Sequence, residues 1–242
     1  MADLPIAFMP LMVDALHDDR KRQTRRLLRN PEYFGCPTGD CPHQTQAECD
    51  AAMAALTRAD TGYAIGDRLY VREAYYQRGH WEPVPGARTK GNRQKWAFVP
   101  TGPVQFDAPT EYRLGRHHKD PGTLAWHKRL GRFMPRALSR MTLTVTEVRV
   151  QRLQAISEAD AIAEGITQYP AEGPHRGGAP YWTAERNSAA AISRCTPVDA
   201  YAALWDSLHT APGTRWADEP WIVAVSFDVA HGNIDGGQHG LR

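Results

Sequence analysis

No apolar run in the sequence approaches the roughly 20 residues that cross a bilayer. The opening stretch from Met1 to Asp19 carries no basic residue ahead of its apolar segment, so neither a membrane helix nor a secretory leader is expected. The expectation is a cytoplasmic protein without a membrane partner. Cysteine is scarce: four among 242 residues cannot make the dense disulfide framework of a small secreted domain, and reduced thiols are expected. The sequence has no G-x-S-x-G, no Walker A and no G-x-G-x-x-G motif, which argues against serine-hydrolase, P-loop and Rossmann chemistry. A net charge of only +2 is too small for bulk electrostatics to mark a nucleic-acid binder. No internal repeat is present.

What is there reads as an ordinary globular chain, 42% hydrophobic and 23% charged, long enough to bury a substantial core. One domain over residues 1–230 is predicted, with a flexible tail at 231–242. Charge position says more than charge total. Arg20, Lys21, Arg22, Arg25, Arg26 and Arg29 fall within ten residues, a density that seeks anions or carries chemistry; a solvated basic face is the alternative.

Ile6 to Met9 reads as a short strand, and Pro10 suits the first turn of a helix whose Leu11, Met12, Ala15 and Leu16 share one face. Gly66-Asp67 is a turn signal before Arg68–Arg72, whose polar–apolar alternation predicts a half-buried strand. Thr142 to Val150 is a third strand, with a phase slip that predicts a bulge near Thr146. Ser157 and Asp160 form a capping-box pair for a short helix that Gly165 ends. Thr196-Pro197 opens an amphipathic helix carrying Tyr201, Leu204, Trp205 and Leu208 on one face. Trp221 to Val229 closes the set as a strand.

Three stretches, at about 35–62, 77–135 and 167–195, read as Pro/Gly-rich insertions. In the first, Ala47 to Leu56 is a helix candidate, and Cys36, Cys41, His43 and Cys49 have the composition of a Cys3His zinc set, at a spacing that is not a standard knuckle. Free thiols are the alternative. The second is expected to be long surface loops with one strand-like run, Trp96 to Val99. Its His117, His118 and His127 suggest a solvated or phosphate-facing patch. Trp81, Trp96, Trp126, Tyr75 and Tyr76 suggest core aromatics, one or two of which can stack on a base.

Four segments in order resemble the ASCH family, and in particular its longer phage- and prophage-associated members. They are Asp19 to Arg26, similar to a G-R-K-T-x-T-x-R-like run; Gly66 to Glu73, similar to G-D-x-L-x-V-R-E; Pro135 to Val150; and Leu153 to Ile166, similar to L-x-x-I-S-E-x-D-A-x-A-E-G-I. The resemblance implies an α+β fold, a PUA-like small mixed β-barrel with flanking short helices and long loop insertions. It also implies an activity, since the family includes amidohydrolases that remove the acyl group of N4-acetylcytidine, beside members thought to bind or cut RNA. Lys21, Thr24 and Glu164 stand at the positions of the family's lysine, threonine and glutamate. The sequence departs from the family pattern at Asp19, where glycine is usual, and in its three insertions.

Amide cleavage needs a nucleophile, a base, a donor for the leaving nitrogen and positive or N–H groups for the oxyanion. Lys21 among arginines has its ammonium form disfavoured and can act as base. Thr24 or an activated water is the nucleophile. Glu164, at a helix C-terminus where the negative pole disfavours a carboxylate, can act as acid. Arg20, Arg26, Glu73 and Tyr75 are the expected substrate-binding residues, with Glu73 holding one of the arginines. No cofactor is expected, and the expected partner is a small modified nucleoside. The alternatives are an RNA-binding module, in which Arg20 to Arg29 contact phosphates, and a ribonuclease.

Overall fold

In the computed structural model, the structure describes residues 1–28, 56, 58–170, 181–184 and 195–236. Strands dominate. The main sheet has five strands in the order β1-β3-β8-β11-β2: β1 (Asp3–Ala7), β2 (Gln23–Leu27), β3 (Arg68–Arg72), β8 (Met141–Arg152) and β11 (Trp221–His231). β1 runs parallel to β3, and the other pairs are antiparallel. The two longest strands of this sheet, β8 and β11, pair along nearly their whole length and supply buried Leu143, Val145, Ile222, Val223, Val225 and Phe227. Burying each such side chain contributes on the order of 1.5–3 kcal/mol, so the centre of this sheet is the stable platform.

Local signals act where they are expected. Pro10 opens α1 (Pro10–His17), whose Met12, Val13, Ala15 and Leu16 are buried against the sheet. The turn at Gly66, with φ +83°, leads into β3. Opposite Ser226 and Phe227 the register skips Thr146, the bulged residue. The Ser157 side chain accepts from the Asp160 N–H, and the Asp160 carboxylate accepts from the Ser157 N–H, at the start of α3 (Glu158–Ala163). Gly165 then takes φ +101°. A last helix, α4 (Pro197–Leu208), packs Tyr201 and Trp205 into the core, while a single turn, α2 (Arg58–Thr61), precedes β3. Among the described residues, no helix is long and apolar enough to cross a membrane.

Four expectations are corrected. The stretch read as surface loops is a second, four-stranded sheet in the order β5-β4-β7-β6: β4 (Tyr75–Arg88), β5 (Gln94–Gln105), β6 (Arg113–Leu114) and β7 (Ala125–Arg129). Aliphatic alternation is faint there because aromatic rings and arginines hold the sheet together. His127, expected in a solvated patch, is 1% exposed in β7 beside Trp81 and Phe98. Within the third insertion, β9 (Thr167–Tyr169) and β10 (Tyr181–Thr183) pair antiparallel, with Tyr169 and Tyr181 stacked. The tail begins later than expected: Ile234 is buried and Asp235 pairs with Arg136. Cys36, Cys41, His43, Cys49, Arg29 and the helix candidate short of Leu56 lie outside the described residues.

The main sheet is not closed by a ladder: among the described residues none joins β1 to β2. The Arg26 guanidinium of β2 instead donates to the Ala7 carbonyl of β1 at 2.9 Å, so the two edges approach through a side chain.

β4 and β5 approach closely at Gly79, where a Cβ would stand 2.4 Å from the Val99 carbonyl oxygen and 2.5 Å from the Phe98 ring. Gly79→Ala therefore has to push the two strands apart. It is expected to cost about 1–3 kcal/mol, read by urea denaturation. An unchanged midpoint would contradict the close approach of β4 and β5 at that residue.

Candidate functional site

The site forms where α1, β2 and the end of α3 meet. After α1 the chain turns at Asp19, whose φ of +55° is the left-handed conformation that glycine adopts without strain and aspartate tolerates. Aspartate at this position thus keeps the backbone shape that glycine would supply. The turn is tied by the Arg20 and Lys21 N–H groups, which both donate to the Ala15 carbonyl. Lys21 and Glu164 form an isolated antiparallel bridge, and the Arg22 N–H donates to the Ala163 carbonyl at 2.7 Å. Gly165 makes this crossing possible, since a Cβ there would lie 3.1 Å from that of Ala15.

Lys21, 1% exposed, donates from Nζ to Glu164 Oε2 at 2.6 Å and to the Glu164 carbonyl at 2.9 Å. Arg25 approaches the other oxygen, Nη1 to Oε1 at 3.2 Å, and also donates to Gln23. Its Nη2 stands 3.1 Å from Asp160 Oδ2, an ion pair without hydrogen-bond geometry; Nε and Nη2 have no hydrogen-bond partner among the described residues. Asp160 is held from its far side by Arg149 at 2.8 Å and Gln23 at 3.1 Å.

These contacts set the charge states. Burial pushes the Lys21 amine below the ordinary lysine value; Glu164 pulls the other way, and Arg26 and Arg25 add to the depression. Burial also raises the Asp160 carboxyl, but the bonds from Arg149 and Gln23 and the charge of Arg25 outweigh it and bring it to about 2. The Tyr201 phenol is raised well above 10.0 by burial and by Glu164, so it stays neutral.

A cavity of about 90 Å³ opens over this group. Lys21, Thr24, Arg25, Arg26 and Glu164 form its polar side; Phe8, Tyr201, Trp205 and His209 form its aromatic side. Phe8 carries two cations, with Arg26 Cζ 5.2 Å and Lys21 Nζ 5.8 Å from the ring centre. His209 stacks on Trp205 at 3.8 Å between ring centres. Thr24, opposite Val225 in the β2–β11 ladder, is 3% exposed at the cavity wall.

Lys21, Thr24, Arg26 and Glu164 are thus brought together, whereas Arg20, Glu73 and Tyr75 do not line the cavity. Arg20 bonds Asp18, the Gly165 carbonyl and Thr167. Glu73 holds an arginine, but it is Arg140, through bonds of 2.9 and 2.7 Å, rather than one from the basic segment. The Tyr75 hydroxyl donates to the Phe133 carbonyl. Sequence reasoning passed over Arg25 as a bonding partner of Glu164, and Tyr201 and Trp205 as cavity wall. Their signals, a basic run and an apolar helix face, were present but ambiguous. The chain matches no family model, no curated protein and no solved structure.

The depressed Lys21 amine has a consequence for stability. At low pH the lysine is charged in both folded and unfolded states, and its desolvation opposes folding in full. As pH climbs towards the unfolded value of 10.5, the folded chain gives up the proton first and the opposition fades. Stability of the protein should therefore rise relative to Lys21→Met as pH approaches 10.5, read by urea denaturation at stepped pH. A gap constant with pH would show that burial does not depress Lys21.

Proposed function

We propose that the chain is an ASCH-like amidohydrolase, its open main sheet a variant of the PUA-like barrel, cleaving the N4-acyl amide of N4-acetylcytidine and related nucleosides. The observation that carries the reading is the convergence of an amine, a hydroxyl and a carboxyl group on one buried cavity, from chain positions as far apart as Lys21 and Glu164. Under it, the protein works in the cytoplasm on a small modified nucleoside and needs no cofactor.

Lys21 in its neutral form takes the proton of Thr24 Oγ1, or of a water held against it, as the oxygen adds to the acyl carbon. Arg26, at the cavity wall, faces the oxyanion that develops on the acyl oxygen. Lys21 Nζ, which gains the proton, lies 2.6 Å from Glu164 Oε2, and the proton passes through that pair to N4 as the C–N bond breaks. With Thr24 as nucleophile, water then releases the acyl group from its oxygen. The net change consumes one water and yields cytidine and a carboxylic acid. The aromatic wall of Phe8, Tyr201 and Trp205 suits a flat pyrimidine.

The binding-module reading is less favoured because the basic segment is answered locally. Arg20 pairs with Asp18 and Arg22 with Asp19, both at 3.0 Å, and the Arg25 side chain is 0% exposed. Little of that charge is free for phosphates.

Lys21→Ala, Thr24→Ala and Glu164→Ala are each expected to lower cytidine release from N4-acetylcytidine by roughly 10²-fold or more. The readout is the ultraviolet change on deacylation, with circular dichroism to confirm folding. Undiminished turnover in all three variants would overturn the reading, as would a folded wild-type protein that releases no cytidine.

A further inference from the structure

The second sheet concentrates positive charge that the rest of the chain does not share. Tyr75–Arg129 holds ten Lys and Arg against four Asp and Glu, leaving nineteen against twenty-three elsewhere. The imbalance is sharpest at the β4–β5 hairpin. No acidic residue occurs from Pro83 to Phe106, while Arg88, Lys90, Arg93 and Lys95 crowd its tip, all exposed. Among the described residues, no carboxylate lies in ion-pair range of these four. Two of the sheet's four acids are already engaged, Glu82 with His80 and Asp120 with Arg113.

Beside the tip, one face of the sheet is aromatic and half open. Trp81 pairs with Phe98 across β4 and β5, and Trp96 lies one alternation further towards the tip, so the three rings share a face; all are half-buried. Guanidinium groups lie on these rings, Arg116 Cζ at 4.6 Å from Trp96 and Arg129 Cζ at 4.2 Å from Phe98. Arg129 Nε is buried and has no hydrogen-bond partner among the described residues.

Unpaired cations spaced along an extended hairpin match a phosphate backbone, and half-open rings beside them match unstacked bases. A duplex would leave the rings without work, because its bases are already stacked. We propose that the β4–β5 hairpin and its aromatic face bind single-stranded RNA, as a surface separate from the cavity. The choice of RNA over DNA rests on the acylcytidine reading. The binding itself does not, so failed turnover and failed binding are distinguishable.

The test is fluorescence anisotropy of the full chain with a labelled single-stranded RNA of about 16 nucleotides, over a series of salt concentrations. The combined variant Arg88→Ala, Lys90→Ala, Arg93→Ala, Lys95→Ala, at exposed positions that leave the fold intact, should weaken binding roughly tenfold or more and flatten the salt slope by about 2–3. Trp96→Ala should weaken it about fivefold or more, with little change in slope. Wild-type protein that does not bind, or binding that the combined variant leaves unchanged, overturns the proposal. Duplex RNA bound as tightly as single strands overturns the stacking role, and equal affinity for single-stranded DNA overturns the choice of RNA.

Discussion

The arrangement depends on one costly act, the burial of a lysine. Removing an ammonium group from water costs several kcal/mol even after relaxation, and Lys21 is made tolerable by a carboxylate at 2.6 Å. Glu164, equally buried, needs more than one partner and takes Arg25; Arg25 takes Asp160; Asp160 takes Arg149, which reaches Glu147. Side-chain exposure along this alternating series runs 2, 4, 0, 14, 37 and 51%. The buried charge is thereby connected, one partner at a time, to the solvent. The six members come from four elements, so the ending of α1, the edge strand β2, the capped helix α3 and the bulged strand β8 are bound to a common geometry.

Such a network is poor evidence for stability, since apolar side chains of similar volume commonly hold a core as well or better. What a network of this kind supplies, and an apolar core does not, is an amine that burial makes a weaker base than an ordinary lysine, beside a carboxylate at fixed distance. Arg25 sharpens the point: its Nη1 donates to Gln23 and Glu164, yet Nε and Nη2 make no hydrogen bond among the described residues. Buried donors left without hydrogen-bond partners are expensive, so this guanidinium is held in place by its charge pairs with Glu164 and Asp160.

How much of this was legible in the sequence depends on the range over which each signal acts. Caps, turns and prolines are local, and Pro10, Gly66, Ser157 with Asp160, Gly165 and Pro197 all mark their elements where expected. The Thr146 bulge could be read because a phase slip leaves a trace within one strand. Of the second sheet only Trp96–Val99, inside β5, could be read, because its strands pack rings against guanidinium groups and leave little aliphatic alternation. Ile234 was hidden by the glycines around it. The partnership of Arg25 with Glu164, separated by 139 residues, has no local signature at all; within the basic run Arg25 looks like Arg20, Arg22 and Arg26, none of which is fully buried.

The position of the cavity follows from the topology of the main sheet. A continuous ladder between β1 and β2 would fill the gap with backbone hydrogen bonds and leave no room for a ligand. Instead β1 ends at Ala7, Phe8 turns in to be 9% exposed, and Arg26 reaches across to the Ala7 carbonyl. The contact covers a carbonyl that an edge strand would otherwise leave for a stray partner. It also holds the Arg26 guanidinium 5.2 Å from the Phe8 ring, at the mouth of the space that Lys21, Thr24 and Glu164 line. The same interruption that leaves the sheet open gives the polar groups a cavity, and the side chain that bridges it is also the cation nearest the Phe8 ring at its wall.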